Sequence, residues 1–191
     1  MKSGAPMAGT PEIDQINLLV GQMARHYKLP WRCSGACTSA KIFDAQAGYE
    51  AARNLYGAAL AGANFILSTT GYMEGALCQS FAKYVVDAEQ AELTHKFLKG
   101  IDFLELDEAL NAMSEVDPGG HFLGTKHTLE NFERAFVIPE LMHHDSFEQW
   151  EAEGASDLNS RAITKARQML NEYEMPKLDE AVDEELLDFI D

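Results

Sequence analysis

The chain has 191 residues, 46% of them hydrophobic, and 31 acidic against 15 basic side chains leave a formal net charge of -16. That length and apolar share are enough for one packed core, and no apolar run approaches a membrane span, so a soluble domain is expected. The acidic balance argues against a nucleic-acid partner, whose phosphates such a surface would repel.

At the start, "MKSGAPMAGTPE" carries only Lys2 as a positive charge and no signal-length apolar block, so no secretory signal is expected and the location expected is cytoplasmic. Gly4 and Pro6 make a turn, Thr10 is placed to cap a helix, Pro11 suits its first position, and Glu12 and Asp14 put negative charge on its first turn. This reads like a loop that follows a strand. From Pro11 to Tyr27, Ile13, Ile16, Val20, Met23 and Tyr27 recur three or four apart, which predicts a helix with one buried face that Leu29-Pro30 stops.

"WRCS" is then a short buried strand and "GACTSAKIF" a loop, followed by a helix capped by Asp44 and carrying Ala47, Ala51, Leu55 and Ala58 on one side, with Gly62 near its end. "NFILS" is a second strand, "TTGYMEG" a loop, and Leu77, Phe81, Val85, Ala88 and Leu98 mark a long helix. Such alternation is the signature of a parallel sheet with right-handed crossovers, and two buried parallel strands need neighbours. The expected class is therefore α/β: residues 1–105 as the last strand–helix units of a TIM (β/α)8 barrel, with the earlier strands elsewhere.

Residues 106–191 read as a Gly-rich loop and a helical tail wrapped on the barrel end. Leu106, Leu110 and Met113 outline a short helix, "DPGGHFLGTKHT" is a loop, and helices broken at Pro139, Gly154 and Pro176 follow, with Ser146 and Gln149 spaced as a capping box. The end, "KLDEAVDEELLDFID", is a short amphipathic helix with Val182, Leu186 and Ile190 on one side and a solvated acidic face on the other.

In barrels of this kind, function collects in the loops after strand C-termini. Those loops offer Ser34, Thr38, Asp44, Gln46, Tyr49, Thr69, Thr70, Tyr72 and Glu74, with Arg32 near a strand end and no histidine for a nucleophilic triad. Asp44 reads as a cap before it reads as an acid, and Tyr49 as core packing before a ligand contact. Glu74 sits in a glycine-flanked loop where packing gives a carboxylate nothing, which leaves solvent exposure and a site role both open. His121 and His127 are six apart on the Gly-rich loop and match no zinc spacing. "MHH" at 142–144 reads as a polar turn. Three cysteines give no disulfide framework, and Cys33 with Cys37 lacks a second pair to complete a zinc site, so no metal is expected.

Taken together, "GAPMAGTPE", "LPWRCSGACTSAKIFDAQAGYEAA", "AALAGANFILSTTGYMEGAL", "EVDPGGHFLGTKHT" and "YEMPKLDEAVDEEL" resemble, in that order, the C-terminal part of the trimethylamine methyltransferase family. The resemblance implies the eight-unit barrel and transfer of a methyl group from a methylated amine to the cobalt of a corrinoid protein, the corrinoid (cobalamin) being carried by that partner and not bound directly. It implies that the chain is a fragment of a longer enzyme or a truncated gene product. With only standard residues, the segment looks more like the branch without pyrrolysine, whose substrates include quaternary amines such as glycine betaine; "STTG" departs from the more apolar "HAAG"-like stretch expected there.

On that resemblance the substrate-binding residues are Arg32, Gln46, Tyr49, Tyr72 and Glu74, with Trp31 as a further aromatic face. Ser34, Thr69, Thr70, Gly71, His121 and His127 lie on loops facing the corrinoid. The alternative is a catalytically inactive barrel fragment whose open strand edges make it an interaction module or homo-oligomer.

Overall fold

The computed structural model describes residues 4, 6–101, 103 and 105–190; Lys2 lies outside them. In chain order the elements are α1 (Pro11–Tyr27), β1 (Arg32–Ser34), α2 (Ala45–Leu60), β2 (Phe65–Leu67), β3 (Tyr72–Met73), β4 (Cys78–Gln79) and α3 (Phe81–Leu98). Then come α4 (Leu106–Ser114), α5 (Lys126–Asn131), α6 (Phe147–Ala152), α7 (Leu158–Asn171) and α8 (Glu180–Ile190). No described helix is long and apolar enough to cross a membrane.

The predicted order of helix, strand, helix, strand, helix is present, and its two strands pair in parallel, Arg32 opposite Phe65 and Ser34 opposite Leu67. Among the described residues these two strands are a partial α/β unit and not a closed barrel. One sheet face is covered: Ile66 packs with Ala36, Ala51, Leu55 and Ala91, bringing α2 and α3 against it. On the other face Arg32 and Ser34 are exposed, Phe65 is 59% exposed and Leu67 41%.

α2 forms as its pattern predicts. Asp44 has extended backbone and its carboxylate accepts from the Gln46 and Ala47 amides, while Ala47, Ala51, Leu55 and Ala58 are all buried. Gly62 follows the helix with φ +75°, a conformation that glycine adopts without a Cβ penalty.

α1 corrects its expectation. Ile16, Val20, Met23 and Tyr27 are exposed, and the residues against α2 are Asn17 and Gly21, where a Cβ on Gly21 would collide with the Ala61 carbonyl. A small, polar stripe lets the two helices approach closely, and the apolar stripe beside it is left uncovered by the described residues. Thr10 occupies the N-cap position but makes no side-chain cap hydrogen bond.

The helix expected from Leu77 begins four residues later at Phe81, because β3 and β4 form an antiparallel hairpin and the Ser80 hydroxyl accepts from Lys83 N. Leu77, Phe81 and Leu98 are exposed; the buried face of α3 is Ala82, Lys83, Val85, Val86, Asp87 and Thr94. α7 lies along α3, where Ala82, Val85, Val86, Leu141, Ala162 and Ala166 form one buried cluster.

Of the other tail predictions, α4 exists but exposes Leu106, Leu110 and Met113, and α8 exposes Val182, Leu186 and Ile190. The Ser146 capping box is half made: its hydroxyl accepts from Gln149 N, while the Gln149 amide turns to Glu153.

The two caps predict different outcomes. Asp44→Ala should cost about 1 kcal/mol, whereas Thr10→Ala should stay within about 0.5 kcal/mol, read from urea-unfolding midpoints at constant slope.

Candidate functional site

Four of the six described non-glycine residues with positive φ gather at one place, Lys28 and Ala155 being the others. Ala36 follows β1, Ser68 follows β2, and Glu74 and Ala76 flank Gly75 in the turn between β3 and β4, with φ of 30°, 56°, 51° and 72° respectively. Each is of order 1–3 kcal/mol unfavourable and persists only where surrounding contacts impose it.

Those contacts are visible. The Glu74 amide donates to Ala40 O at 3.0 Å and the Gly75 amide to Thr38 O at 2.7 Å, stitching the hairpin turn to the loop after β1. Thr38 is fully buried; its hydroxyl donates to Glu50 Oε2 at 2.6 Å and accepts from Ala40 N at 2.9 Å. Glu50, one turn into α2, also accepts from Ser39 N at 2.8 Å and from the Gln46 amide at 2.9 Å. Arg53 completes this side, donating to Gly9 O and to Asp14 at 2.6 Å, and the Ser39 hydroxyl donates to Ala8 O at 2.7 Å. Gly9 has φ +77° and a Cβ there would fall 2.5 Å from Glu50 Oε2, so this approach needs glycine.

Beneath the loops lies a buried ion pair. Lys83 has no exposed surface; its ammonium donates to Asp87 and, at 2.8 Å, to Ala36 O. The same Asp87 oxygen accepts from Gly71 N at 2.8 Å. Two residues on α3 thus hold both the turn after β1 and the turn after β2.

The electrostatics follow from these partners. Burial pushes the Asp87 carboxyl up, against the pull of the Lys83 charge and the Gly71 amide. Glu50 ends below the usual carboxylate range: burial raises it, but hydrogen bonds from Thr38, Gln46 and Ser39 and the Arg53 charge outweigh that. Burial raises the Cys37 thiol, so it is a poor thiolate, and Cys33 shifts the same way for the same reason.

The structure divides the predicted site residues. Arg32 and Ser34 line a cleft of ≈ 440 Å³ with Cys37, Ser68, Gly75, Ala76 and the flank of α1. Glu74 lies in the turn that borders it and Tyr72 in β3 leading into that turn, both half-buried. Arg32 and Glu74 have no hydrogen-bond or ion-pair partner for their side chains among the described residues. Gly71 is buried under Asp87, and the Thr69 hydroxyl donates to Ile66 O at 2.8 Å, a structural role; Thr70 is half-buried beside it.

Gln46 is occupied by Glu50, and Tyr49 is 78% exposed on a different groove with Phe43, Met142 and Leu158, so it is not the core residue expected. His121 is exposed and His127 half-buried; both belong to the 115–131 segment, whose helix α5 packs chiefly on α4. Among the described residues the one cluster able to hold a metal is His143, Asp145 and Glu153 in the turn read as polar. Its two carboxylates face opposite ring nitrogens, Asp145 at 3.5 Å from Nδ1 and Glu153 at 3.3 Å from Nε2.

Sequence reasoning missed Glu50, Lys83 and Asp87. Their signal was a charged pair four apart on an otherwise apolar helix face, and a glutamate one turn after a helix cap.

The chemical capacity is narrow. Both Glu50 oxygens are occupied and Asp87 is tied to Lys83 and the Gly71 amide, so among the described residues the ionic groups bordering the cleft without a side-chain partner are the Arg32 guanidinium and the Glu74 carboxylate. That suits binding a charged small molecule better than moving a proton.

The comparisons agree with the resemblance. The family described as Trimethylamine methyltransferase (MTTB) matches residues 1–191. The glycine betaine methyltransferase of Desulfitobacterium hafniense (strain Y51) is 36% identical over 190 residues, 100% of this chain and 40% of that protein. The trimethylamine methyltransferase MttB of D. hafniense (strain DSM 10664 / DCB-2) is 31% identical over 182 residues, 95% of this chain and 36% of that protein. MttB of Methanosarcina barkeri is 29% identical over 191 residues, 100% of this chain and 38% of that protein. The chain therefore spans about two-fifths of the length of the curated relatives it matches, in their C-terminal portion.

Two outcomes test the scaffold. Lys83→Met strands a buried carboxylate and should cost about 3–5 kcal/mol, while Lys83→Met with Asp87→Leu should recover most of it; equal losses in the two proteins would disprove the coupling. Because Glu50 has a lowered folded-state pKa, its contribution is present above its unfolded pKa near 4.5 and is lost as pH falls through the lower folded value. Glu50→Gln should accordingly flatten the decline of the unfolding midpoint below about pH 5.

Proposed function

The chain belongs to the trimethylamine methyltransferase family, and on that premise we propose that it supplies the C-terminal portion of an enzyme moving a methyl group from a methylated amine to the cobalt of a corrinoid carried by a separate protein. The observation that carries this reading is the unpaired Glu74 carboxylate, held in a left-handed turn beside Tyr72 and next to a cleft with an unpaired Arg32.

A quaternary ammonium loses a methyl group as a neutral amine departs, so the reaction needs no general acid. The corrinoid supplies the nucleophile, as cobalt(I), when the partner is bound. What this chain's residues do is hold the cation. Glu74 offers a counter-charge, fixed by main-chain hydrogen bonds from Glu74 and Gly75 to the loop after β1, and Tyr72 an aromatic face, fixed by its pairing with Gln79 in the hairpin. Arg32, exposed at the start of β1, offers a fork for a substrate carboxylate, which favours a betaine over a simple methylamine.

The same reading makes the α1–β1–α2–β2–α3 run part of an eight-stranded barrel, with Ser34, Ser68, Thr69 and Thr70 at the strand ends facing the corrinoid protein. Gln46, Tyr49, His121 and His127 have no place in the pocket so drawn, since each lies off the cleft.

The test is binding of glycine betaine and of trimethylamine by calorimetry, with release of the demethylated amine measured in the presence of a reduced corrinoid protein, in a polypeptide that contains this segment. Glu74→Gln should weaken both ligands, by roughly tenfold for a desolvated cation contact. Arg32→Gln should weaken glycine betaine alone, since trimethylamine has no carboxylate. Unchanged binding and release in both variants would remove the pocket assignment.

A further inference from the structure

The stretch from Leu141 to Ser156, which carries α6, is tied to α3 and α7. The Leu141 and Met142 amides donate to the Glu89 carboxylate of α3 at 2.7 and 3.2 Å, and the Leu141 side chain is buried in the cluster between α3 and α7. Arg161 of α7 donates from Nε to Leu141 O at 2.9 Å and from Nη1 to Ser156 O, so the segments before and after α6 are pinned to one helix. Trp150 Nε1 also donates to Ser156 O, at 3.0 Å.

Within this frame His143, Asp145 and Glu153 converge, one ligand atom of each lying within 4.8 Å of the other two. The nitrogen-to-oxygen separations of 3.3 and 3.5 Å are those of two neighbouring ligands on a tetrahedral ion, about 3.3–3.6 Å for metal bonds of about 2.0–2.2 Å. Glu153 is oriented from behind: its Oε2 faces His143 while its Oε1 accepts from the Gln149 side chain at 3.2 Å. The three residues line a pocket of ≈ 340 Å³. Arg161 lines it too, but directs Nε and Nη1 to main-chain carbonyls, and among the described residues no lysine or arginine forms an ion pair with Asp145 or Glu153.

We infer that His143, Asp145 and Glu153 form a binding site for one divalent first-row metal ion of the zinc type, which clips the turn before α6 to the end of that helix. One ring nitrogen and two carboxylate oxygens fill three positions and water the fourth. The donor set selects this class, because magnesium and calcium take oxygen ligands and copper(I) takes thiolate or thioether sulfur. None of the three residues lines the cleft beside Arg32, so the site stands apart from the methyl-transfer reading.

The experiment strips the 191-residue chain with a chelator, dialyses it, and titrates it with zinc chloride by calorimetry near neutral pH, with unfolding midpoints recorded alongside. The expected result is one zinc per chain and a midpoint that rises with zinc and falls back when chelator is added. His143→Ala and Glu153→Gln should each weaken binding by about tenfold or more, with helix content by circular dichroism unchanged. Gln149→Ala removes no ligand but frees the second Glu153 oxygen, and should weaken binding several-fold. Cobalt(II) in place of zinc should give ligand-field bands without a thiolate charge-transfer band, which separates this site from the free cysteines at 33, 37 and 78.

Four results would each overturn the proposal: no zinc bound, zinc binding that survives both His143→Ala and Glu153→Gln, a cobalt–thiolate band, or magnesium bound as tightly as zinc. The last would reduce the cluster to an acidic surface patch. Methyl transfer is not read in any of these measurements, so their outcome leaves that reading untouched.

Discussion

The arrangement depends on one buried contact, the Lys83 ammonium between Asp87 and the Ala36 carbonyl. A lysine with no exposed surface is costly to bury, and this one is compensated by a carboxylate and a main-chain oxygen that both accept from its ammonium. Since Asp87 also takes the Gly71 amide, the pair fixes two turns that are 35 residues apart in sequence relative to one helix. The left-handed residues Ala36 and Ser68 sit in the backbone so held, and Glu74 and Ala76 in the turn stitched above it. Without that anchor nothing local would keep the unfavourable conformations, because each prefers another region of φ and ψ.

What could be read from the sequence and what could not divides along this line. α2 was legible because its alanines and Leu55 repeat at helical spacing and all face inward, and because Asp44 caps it through its own side chain. The parallel pairing of "WRCS" with "NFILS" followed from helix and strand alternation. The faces of α1 and α3 were misread for a shared reason. In both, the buried face includes residues that a hydrophobic pattern discounts: Asn17 and Gly21 in α1, and Lys83, Asp87 and Thr94 beside Ala82, Val85 and Val86 in α3. A polar group that is satisfied after folding looks, in the sequence, the same as one meant for solvent. Nor does a pattern reveal that Tyr72 and Met73 form half of a two-residue-per-strand hairpin, since so short a ladder leaves no periodicity to detect.

The candidate site was legible in its loops but not in its members. "GACTSAKIF" and "TTGYMEG" are indeed the segments that meet at the strand ends, and Arg32, Ser34 and Glu74 lie on or beside the cleft between them. Gln46 and Tyr49 were placed by proximity in sequence to those loops, yet one helical turn is enough to send Tyr49 to another groove and to commit Gln46 to Glu50. Glu50 itself was invisible because its importance is entirely in its partners: three donors from two segments converge on one carboxylate.

These constraints bear on what kind of chemistry the site can serve. A carboxylate that accepts from three donors, as Glu50 does, is held ionised and is unavailable as a proton shuttle; thiols raised by burial are unavailable as nucleophiles. What remains is a rigid main-chain frame with one unpaired anion and one unpaired cation beside a cleft. A frame of this sort contributes to a reaction by fixing the position of a charged substrate, and positioning is the whole requirement when the leaving group departs neutral and the nucleophile belongs to another molecule.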